Sequence, residues 1–318
     1  MEVLRVEDLS VHYITRAGVV RAVDGVSFSV GEGEIVGLAG ESGSGKTTTA
    51  MAIMRLLPEN GRIVGGRILL DGVDVVPLSE DEMKRIRWAK VSMIFQGAMN
   101  ALNPVLRVGD QIAEVLMEKA GYGKEEAMER VRELFRAVGI DPSRARDYPH
   151  EFSGGMRQRV IIAMAVALNP RLVIADEPVT ALDVVVQSKI LDLLRRLRDE
   201  MGISVLLITH DLSVIAEVAD SMAIMYAGRI VEYGDVYEVF GDPLHPYTRA
   251  LIEAFPSVTG ERRRLEPIRG DPPNMLRLPP GCPFHPRCPL AVERCSRERP
   301  ELVEARPGRL VACWLVGR

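Results

Sequence analysis

The chain contains one glycine-rich segment that matches a phosphate-binding loop along its whole length. Residues 40–47 read Gly-Glu-Ser-Gly-Ser-Gly-Lys-Thr and lie between an apolar stretch typical of a strand and a stretch typical of a helix. Glycines let backbone N–H groups turn toward phosphate oxygens, and a helix N-terminus adds positive partial charge. The Lys46 ammonium suits the β- and γ-phosphates, and the Thr47 hydroxyl suits Mg²⁺. The segment therefore predicts a nucleoside triphosphate and Mg²⁺ as ligands.

Two acidic residues follow a second apolar run. Residues 172–175 are Leu-Val-Ile-Ala, and Asp176 and Glu177 come directly after them. Ligands of open α/β sheets bind at the C-terminal ends of the strands. There Asp176 can hold Mg²⁺ through its water shell, and Glu177 can polarise an attacking water as a general base. Such a pair is often only a solvated turn, but downstream of a phosphate loop it predicts hydrolysis.

Strand and helix patterns alternate around these residues. Residues 3–13 and 25–30 alternate apolar and polar positions as half-buried strands do. Between 106 and 147 the pattern is helical, and 124–138 has five apolar residues on one face before Gly139. We therefore predict an α/β domain over 1–240, with a largely parallel sheet and an inserted helical subdomain at about 97–155. Further strands are predicted at 34–39, 91–95, 172–175, 204–209 and 222–226, and helices at 46–57, 156–168 and 186–202.

Composition excludes several classes of protein. The 318 residues are 47% hydrophobic and carry a net charge of −4 with 5% aromatic residues, so nothing favours nucleic-acid binding. The first residues lack the pattern of a secretory signal, and no apolar run is long enough to cross a bilayer. We expect a soluble protein, which can still lie beneath a membrane protein.

The composition changes near residue 241. Thirteen of the 20 prolines lie beyond that point, which excludes long helices and a central sheet strand there. All four cysteines lie in the same stretch, and in a cytosolic-looking protein they favour a metal over disulfides. We predict that 241–318 is a small loop-rich appendage that needs a staple. The cysteines are Cys282, Cys288, Cys295 and Cys313, whose spacing is not that of a zinc finger.

The order of the motifs resembles the nucleotide-binding subunit of an ABC transporter over nearly the whole chain. The motifs in order are Gly40–Thr47, Gln96, Ser153-Gly154-Gly155, Asp176-Glu177, Ala181-Leu182-Asp183 and His210. The resemblance implies a P-loop ATPase core of the ABC type, in which two domains close head to tail on two ATP molecules.

The resemblance also implies a role for each motif. Gln96 would contact Mg²⁺ and the attacking water, His210 the γ-phosphate, and Asp183 the dimer interface. Ser153, Gly154 and Gly155 would cap the ATP of the partner domain. Tyr13 would stack on adenine, although an ordinary strand tyrosine is the alternative. The implied ATP contacts are Tyr13, Gly40, Ser42, Gly43, Ser44, Gly45, Lys46, Thr47 and Thr48, and the implied Mg²⁺ ligands are Thr47, Gln96 and Asp176.

The signature motif departs from the commoner Leu-Ser-Gly-Gly-Gln at both ends, where Phe152 and Met156 stand. In this form it resembles the D-type ATPase of oligopeptide and dipeptide importers, as do segments 95–104 and 245–251. That resemblance implies an F-type ATPase partner, two permease subunits, indirect work with an extracytoplasmic solute-binding protein, and a place on the cytoplasmic face of the cell membrane. Importers of nickel or oligosaccharides in the same subfamily are alternatives, and a soluble ABC ATPase outside transport is a further one.

The cysteine motif at 281–288, Gly-Cys-Pro-Phe-His-Pro-Arg-Cys, resembles the same importer subfamily. There four thiolates can hold a 4Fe–4S cluster. Four cysteines also suit tetrahedral zinc, and disulfides or free thiols remain as alternatives. The expected role is structural, and His285 is expected to pack or face solvent rather than act as a ligand.

Overall fold

The fold is that of a computed structural model, which describes residues 1–97, 101–254 and 268–316. Residues 98–100, part of the importer-like segment 95–104, lie outside the described residues. The strands are β1 (Glu2–Thr15), β2 (Gly18–Gly31), β3 (Ile35–Ala39), β4 (Gly61–Leu70), β5 (Val73–Asp74), β6 (Val91–Ile94), β7 (Leu172–Asp176), β8 (Ser204–Ile208), β9 (Ser221–Tyr226), β10 (Arg229–Asp235), β11 (Val303–Arg306) and β12 (Arg309–Val311). The helices are α1 (Lys46–Ile53), α2 (Glu80–Ile86), α3 (Val108–Ala120), α4 (Lys124–Ala137), α5 (Gly154–Ala165), α6 (Val184–Met201), α7 (Leu212–Val218), α8 (Val236–Gly241), α9 (Pro246–Glu253) and α10 (Glu293–Arg297).

The chain forms two compact units, of which the first comprises Met1–Leu4, Val30–Glu34 and Leu70–Leu207. Its sheet has the strand order β8-β7-β6, and β6 runs parallel to β7 with Val91 opposite Leu172. All residues of β6 and β7 are buried, as expected for strands covered on both faces. The predicted parallel pairing is confirmed for these strands.

Helices α3 and α4 lie in the first unit and confirm the predicted helical segment. Helix α4 buries Ala127, Val131, Leu134 and Phe135 on one face, and α3 packs against both α4 and α5. The helix ends at Ala137, close to the predicted end, and Gly139 takes a left-handed φ of 73°.

The second unit comprises Arg5–Ser29, Ile35–Leu69 and Ile208–Arg318. One of its sheets has the order β11-β12-β10-β9-β3, and another has the order β2-β1-β4. Strand β3 runs parallel to β9, whereas β10 runs antiparallel to both β9 and β12. The phosphate-loop segment leaves the C-terminal end of β3, where ligands of such sheets bind.

Two local differences from the sequence prediction have a physical cause. Helix α1 ends at Ile53 rather than near residue 57, because Arg55 takes a left-handed φ of 53° that breaks the helix. Helix α2 was not predicted, although Ser79 and Glu82 form a capping box at its start. The Ser-x-x-Glu spacing was therefore the signal that could have located this helix.

The C-terminal stretch contains a β-hairpin besides loops. Strand β12 pairs with β10, with Val311 opposite Glu232, and β11 pairs with β12, so the tail adds two strands at the edge of the sheet. The prolines lie outside these strands. Because the hairpin lies at the edge of the sheet, it agrees with the prediction that the proline-rich stretch supplies no central strand. By pairing with β10, the hairpin extends the larger sheet.

A buried ion pair links this hairpin to the sheet. Arg309 Nη2 lies 2.5 Å from Glu232 Oε1, and the two side chains are 1% and 0% exposed. The Glu232 carboxylate also accepts backbone N–H bonds from Leu244 and His245, each at 2.9 Å. The carboxylate thereby joins β10, the segment before α9 and β12, and it supplies a staple that needs no metal.

Removing the arginine tests this staple. Arg309→Ala should lower the free energy of unfolding by about 3–5 kcal/mol, because Glu232 would stay buried without its counter-charge. Urea denaturation of the full chain measures the loss. The matched control is Arg306→Ala, which breaks the exposed pair with Asp242 and should cost about 0–1 kcal/mol. Equal losses in the two variants would contradict a staple at Glu232.

Candidate nucleotide site

The phosphate-loop segment has the backbone that phosphate binding requires. Gly40 and Gly45 have φ of 147° and 108°, and a Cβ on either would lie 2.2 Å from the carbonyl oxygen of Met225 or 2.4 Å from that of Ala22. Both glycines are therefore needed for space as well as for conformation. Gly228 N–H donates to the Ser44 carbonyl at 2.9 Å and fixes the loop from a third side.

Lys46 begins α1 and its side chain folds back over the loop. Its Nζ donates to the carbonyl oxygens of Gly40 at 2.7 Å and Glu41 at 3.0 Å, and it lies 3.4 Å from Ser44 Oγ. The ammonium is thus held inside the curve of the loop, where phosphate oxygens would sit. Ser42, Gly43 and Thr47 are exposed, so the loop is open to a ligand.

Tyr13 lies next to the start of α1. Its hydroxyl is 3.2 Å from Thr48 Oγ1, and its ring is half-buried. Two residues that the resemblance assigned to ATP, on separate elements, are therefore brought together in the second unit. The contact orients the ring near the loop, and stacking on adenine stays a prediction.

His210 lies two residues after the end of β8, in the segment that leads into α7. The preceding Thr209 donates its backbone N–H to the carbonyl of Leu38 at 3.3 Å, and its hydroxyl accepts from Asp211 N–H at 3.0 Å. His210 is exposed between these two fixed residues. It lies beside the end of β3, the strand that leads into the phosphate loop.

The first unit holds the acidic residues. Asp176 ends β7 and is 1% exposed, and Glu177 follows with a left-handed φ of 49°. The Glu177 carboxylate accepts hydrogen bonds from Gln96 Nε2 at 3.0 Å and from Thr180 Oγ1 at 2.9 Å. Left-handed backbone at a non-glycine residue is uncommon and costs energy, so it persists only where the surroundings hold it. Gln96 and Glu177, 81 residues apart, are therefore brought together.

The signature motif forms the N-terminus of α5. Ser153 is its N-cap, its Oγ accepting from Met156 N–H at 3.4 Å, and the exposed serine precedes a helix N-terminus that suits an anion. The two departures from the commoner motif share one partner. The Arg144 guanidinium lies 4.4 Å over the ring of buried Phe152, and its Nη1 lies 3.4 Å from Met156 Sδ.

The segment after Glu177 ends at a second capped helix. Asp183 caps α6, its Oδ1 accepting from Val186 N–H at 3.0 Å, so this carboxylate is engaged within its own chain. Val184 and Val185 follow and are 79% and 65% exposed. Two adjacent exposed valines are an unusual choice for a solvated first turn and fit a surface that another protein covers.

The four cysteines line one small cavity in the second unit. None of them forms a disulfide, and Cys282 N–H donates to the Cys295 carbonyl at 2.8 Å. Burial raises the pKa of the Cys282 thiol to about 11, and burial also raises the pKa of Cys288 and Cys313. Within the described ranges, no group of three or more His, Cys, Asp or Glu side chains has the arrangement of a metal site. The ring of His285 bonds through Nδ1 to the Cys282 carbonyl at 2.9 Å.

Sequence reasoning missed three residues around the phosphate loop. Glu41, inside the loop, forms an ion pair with Arg287 and donates its backbone N–H to the Tyr247 hydroxyl at 2.9 Å. Both partners belong to motifs that were noted only as signs of the importer subfamily. No sequence signal connects positions that lie more than 200 residues apart.

Comparisons with known proteins agree with this geometry. The chain matches a family model described as ABC transporter over residues 23–180, and one described as Oligopeptide/dipeptide transporter, C-terminal region, over residues 231–295. The Escherichia coli oligopeptide transport ATP-binding protein OppD is 50% identical, covering 98% of this chain and 92% of the relative. The Bacillus subtilis dipeptide transport ATP-binding protein DppD is 46% identical, covering 99% and 95%.

This chain belongs to the ABC transporter family. Its relatives within that family are oligopeptide and dipeptide transport ATP-binding proteins, as the motifs indicated. Among solved structures it resembles the dimeric ABC transporter cassette MJ0796, with a TM-score of 0.66 and 29% identity over 73% of this chain and 98% of that one. A further structure of MJ0796, bound to ADP and Pi after hydrolysis, has a TM-score of 0.65.

The predicted α/β ABC cassette fold and ATPase activity are thereby confirmed. This ABC ATPase has no helix, among the residues that the structure describes, with the length and apolar character needed to span a membrane.

Because a Cβ at Gly45 would lie too close to the Ala22 carbonyl, adding a single methyl group there should strongly affect ATP binding. Gly45→Ala should weaken ATP binding by at least about 100-fold, because its Cβ would displace the loop from Ala22. Titration with a fluorescent ATP analogue measures the affinity. The control is Gly72→Ala, where φ is also left-handed at 77° but nothing lies within 4 Å of the added Cβ. The control should bind ATP normally, and equal loss in both variants would contradict the steric account.

Proposed function

We propose that this ABC ATPase is the ATP-hydrolysing motor subunit of an importer of oligopeptides or dipeptides. The proposal is supported by relatives of that name at 46–50% identity over nearly the whole chain, and by the match of residues 231–295 to the C-terminal region of such transporters. In this proposal 1–240 form the ATPase domain, about 97–155 its helical subdomain, and 241–318 the importer-type C-terminal domain.

The observation that carries the motor function is the bond between Gln96 and Glu177. A general base must be oriented toward its water, and hydrogen bonds from Gln96 and Thr180 fix this carboxylate. Glu177 then polarises the attacking water, while Lys46 binds the β- and γ-phosphates. Mg²⁺ would be held by Thr47, Gln96 and Asp176, and His210 would contact the γ-phosphate.

The partner of this chain is a second ABC ATPase subunit. Exposed Ser153 at the start of α5 and exposed Val184 and Val185 at the start of α6 supply a surface on which that subunit can dock. We propose that the Ser153-Gly154-Gly155 element caps the ATP of the partner, which is an F-type chain. Two permease subunits bind the pair at the cytoplasmic face of the membrane, and an extracytoplasmic binding protein delivers the solute.

Replacing the general base tests the motor function. Glu177→Gln keeps the size and the hydrogen bonds of the side chain but removes the base, so ATP turnover should fall about 10²–10⁴-fold. The dissociation constant for ATP should stay within a few-fold of wild type. Glu200→Gln is the matched control, because Glu200 lies on the exposed surface of α6. Near-normal turnover in Glu177→Gln would assign the base elsewhere.

An uptake assay with the same two variants tests which solute is transported. The chain is co-expressed with the permease and ATPase subunits of its transporter, reconstituted in proteoliposomes with the binding protein, and supplied with ATP. Uptake of a labelled peptide should be lost with Glu177→Gln and kept with Glu200→Gln. Uptake of Ni²⁺ or an oligosaccharide instead of the peptide would replace peptides as the solute.

The cysteines support a second proposal, a structural centre in the tail. Four unpaired thiols on one cavity are the donor set for a 4Fe–4S cluster, or for zinc as the alternative. Burial raises the pKa of Cys282, Cys288 and Cys313, which disfavours their thiolates unless a cation is bound. Cys282, Cys288, Cys295 and Cys313 would be the ligands, and the bound group would cross-link the segments that carry them.

Anaerobic purification tests this centre. The protein should contain iron and sulfide in a ratio of about 1:1, with broad absorption near roughly 400 nm. Cys288→Ser should abolish that absorption, because one of four ligands is lost, whereas His285→Ala should keep it. Zinc without iron would identify a zinc site. Protein with neither metal would contradict the proposed centre.

A further inference from the structure

Two segments of the C-terminal stretch contact the phosphate loop at a single residue, Glu41. Glu41 is the second residue of the loop, between Gly40 and Ser42. Both of its carboxylate oxygens accept from Arg287, with Nη1 to Oε2 at 2.6 Å and Nη2 to Oε1 at 3.0 Å. Its backbone N–H donates to the Tyr247 hydroxyl at 2.9 Å. The side chain and the main chain of one loop residue are therefore both fixed by the tail.

The arginine is itself held rigidly. Its side chain is 6% exposed, its Nε donates to the Arg269 carbonyl at 2.9 Å, and its Nη1 reaches the Tyr226 hydroxyl at 3.4 Å. Its guanidinium lies 5.8 Å from the ring centre of Tyr226 and 6.0 Å from that of Phe284. Both guanidinium Nη atoms are engaged by the Glu41 carboxylate. A two-pronged pair of this kind, with the arginine side chain buried, fixes orientation as well as distance.

The tyrosine is equally well fixed. Tyr247 is fully buried in α9, and its ring packs against Tyr226 and Phe284 with centres 4.6 Å and 5.3 Å away. Burial raises the pKa of the Tyr247 hydroxyl, which therefore stays protonated while it accepts the Glu41 N–H. The buried His245 ring, whose pKa burial lowers to about 3, accepts the Tyr247 N–H at 3.0 Å.

Glu41 in turn contacts the groups of the loop that face a bound phosphate. The Glu41 carbonyl accepts Lys46 Nζ at 3.0 Å and the Ser44 N–H at 3.2 Å. A shift of Glu41 would therefore move the ammonium and the amide that face a phosphate. Ordering the loop before the ligand arrives removes part of the entropic cost of binding.

The arginine lies within the cysteine motif. Arg287 ends the single 3₁₀ turn His285–Arg287, which lies between Cys282 and Cys288. Phe284, whose ring packs against both Tyr226 and Tyr247, lies in the same short segment. The guanidinium is therefore carried by a turn that lies between two of the cysteines.

We propose that Arg287 and Tyr247 are positioning residues that hold the phosphate loop ready for ATP, so that ATP affinity depends on the integrity of the cysteine motif. The inference rests on ATP binding by this chain. It gives the tail a function within the ATPase cycle that needs no electron transfer and no contact with the transported solute.

A double-mutant cycle on the full chain tests the pairing. Arg287→Gln and Glu41→Gln should each weaken binding of a fluorescent ATP analogue about 10-fold, and the double variant should be no weaker than either single one. The loss should appear in the KM for ATP more than in kcat, because the pair orders the loop and the general base is untouched. Arg297→Gln, at an exposed tail pair with Glu293, is the matched control and should bind normally.

The outcome separates positioning from simple folding. Each variant is first shown to be folded by its urea midpoint. A folded Arg287→Gln protein that binds within 2-fold of wild type would overturn the proposal, as would additive losses in the double variant. A wild-type chain that binds no ATP at all would instead contradict the ATPase function itself.

A separate variant tests whether ATP affinity depends on the cysteine motif. Cys288→Ser should weaken ATP binding in the wild-type background and add no further loss in the Arg287→Gln background. An equal added loss in both backgrounds would overturn the route through Arg287, and no loss in either would overturn the dependence on the cysteines.

Discussion

The rest of the structure depends on holding one short loop in a backbone conformation that most residues avoid. The phosphate loop has left-handed φ at Gly40, Gly43 and Gly45, and such a loop is ordered only when its surroundings supply contacts. Here the carbonyls of Ala22 and Met225 lie against the two outer glycines and leave no space for a side chain. The loop is thus enclosed by main-chain atoms from β2 and β9, and this enclosure explains why both positions must be glycine.

The turn between β9 and β10 connects that enclosure to the tail. Gly228 in this turn donates to the Ser44 carbonyl and accepts from the Asp24 N–H at 2.9 Å. Asp24 in turn pairs with Arg299, and Glu232 of β10 pairs with Arg309, both arginines lying in the C-terminal stretch. Three arginines of the C-terminal stretch, Arg287, Arg299 and Arg309, therefore form ion pairs with acidic residues of the ATPase part. The C-terminal stretch thus contributes to the contacts that hold the phosphate loop.

Local sequence patterns were sufficient to predict much of the fold. The apolar runs before Gly40 and Glu177 gave β3 and β7, and the phosphate loop was evident from its glycines and Lys46. The motif order was sufficient to identify the family, and the structure adds that Gln96 and Glu177 are hydrogen-bonded to each other. Assignment of these residues to steps of hydrolysis stays a proposal.

Contacts between distant side chains could not be predicted in the same way. Glu41 and Arg287 are 246 positions apart, and neither has an unusual local pattern. Phe152 and Met156 were recognised only as departures from a motif, whereas the structure shows both against Arg144. The edge hairpin was missed because Val303–Arg306 and Arg309–Val311 are short, and because the proline content hid the pairing of β11 with β12 and of β12 with β10.

The central claim is that the protein orders its phosphate loop before any nucleotide binds, and amide hydrogen exchange tests it most directly. In the nucleotide-free chain, the Glu41 and Ser44 N–H groups are bonded to the Tyr247 hydroxyl and the Glu41 carbonyl. They should exchange far more slowly than amides of an unstructured peptide, and ATP should slow them only modestly further. Exchange at the unstructured rate, with protection appearing only when ATP is added, would contradict the account.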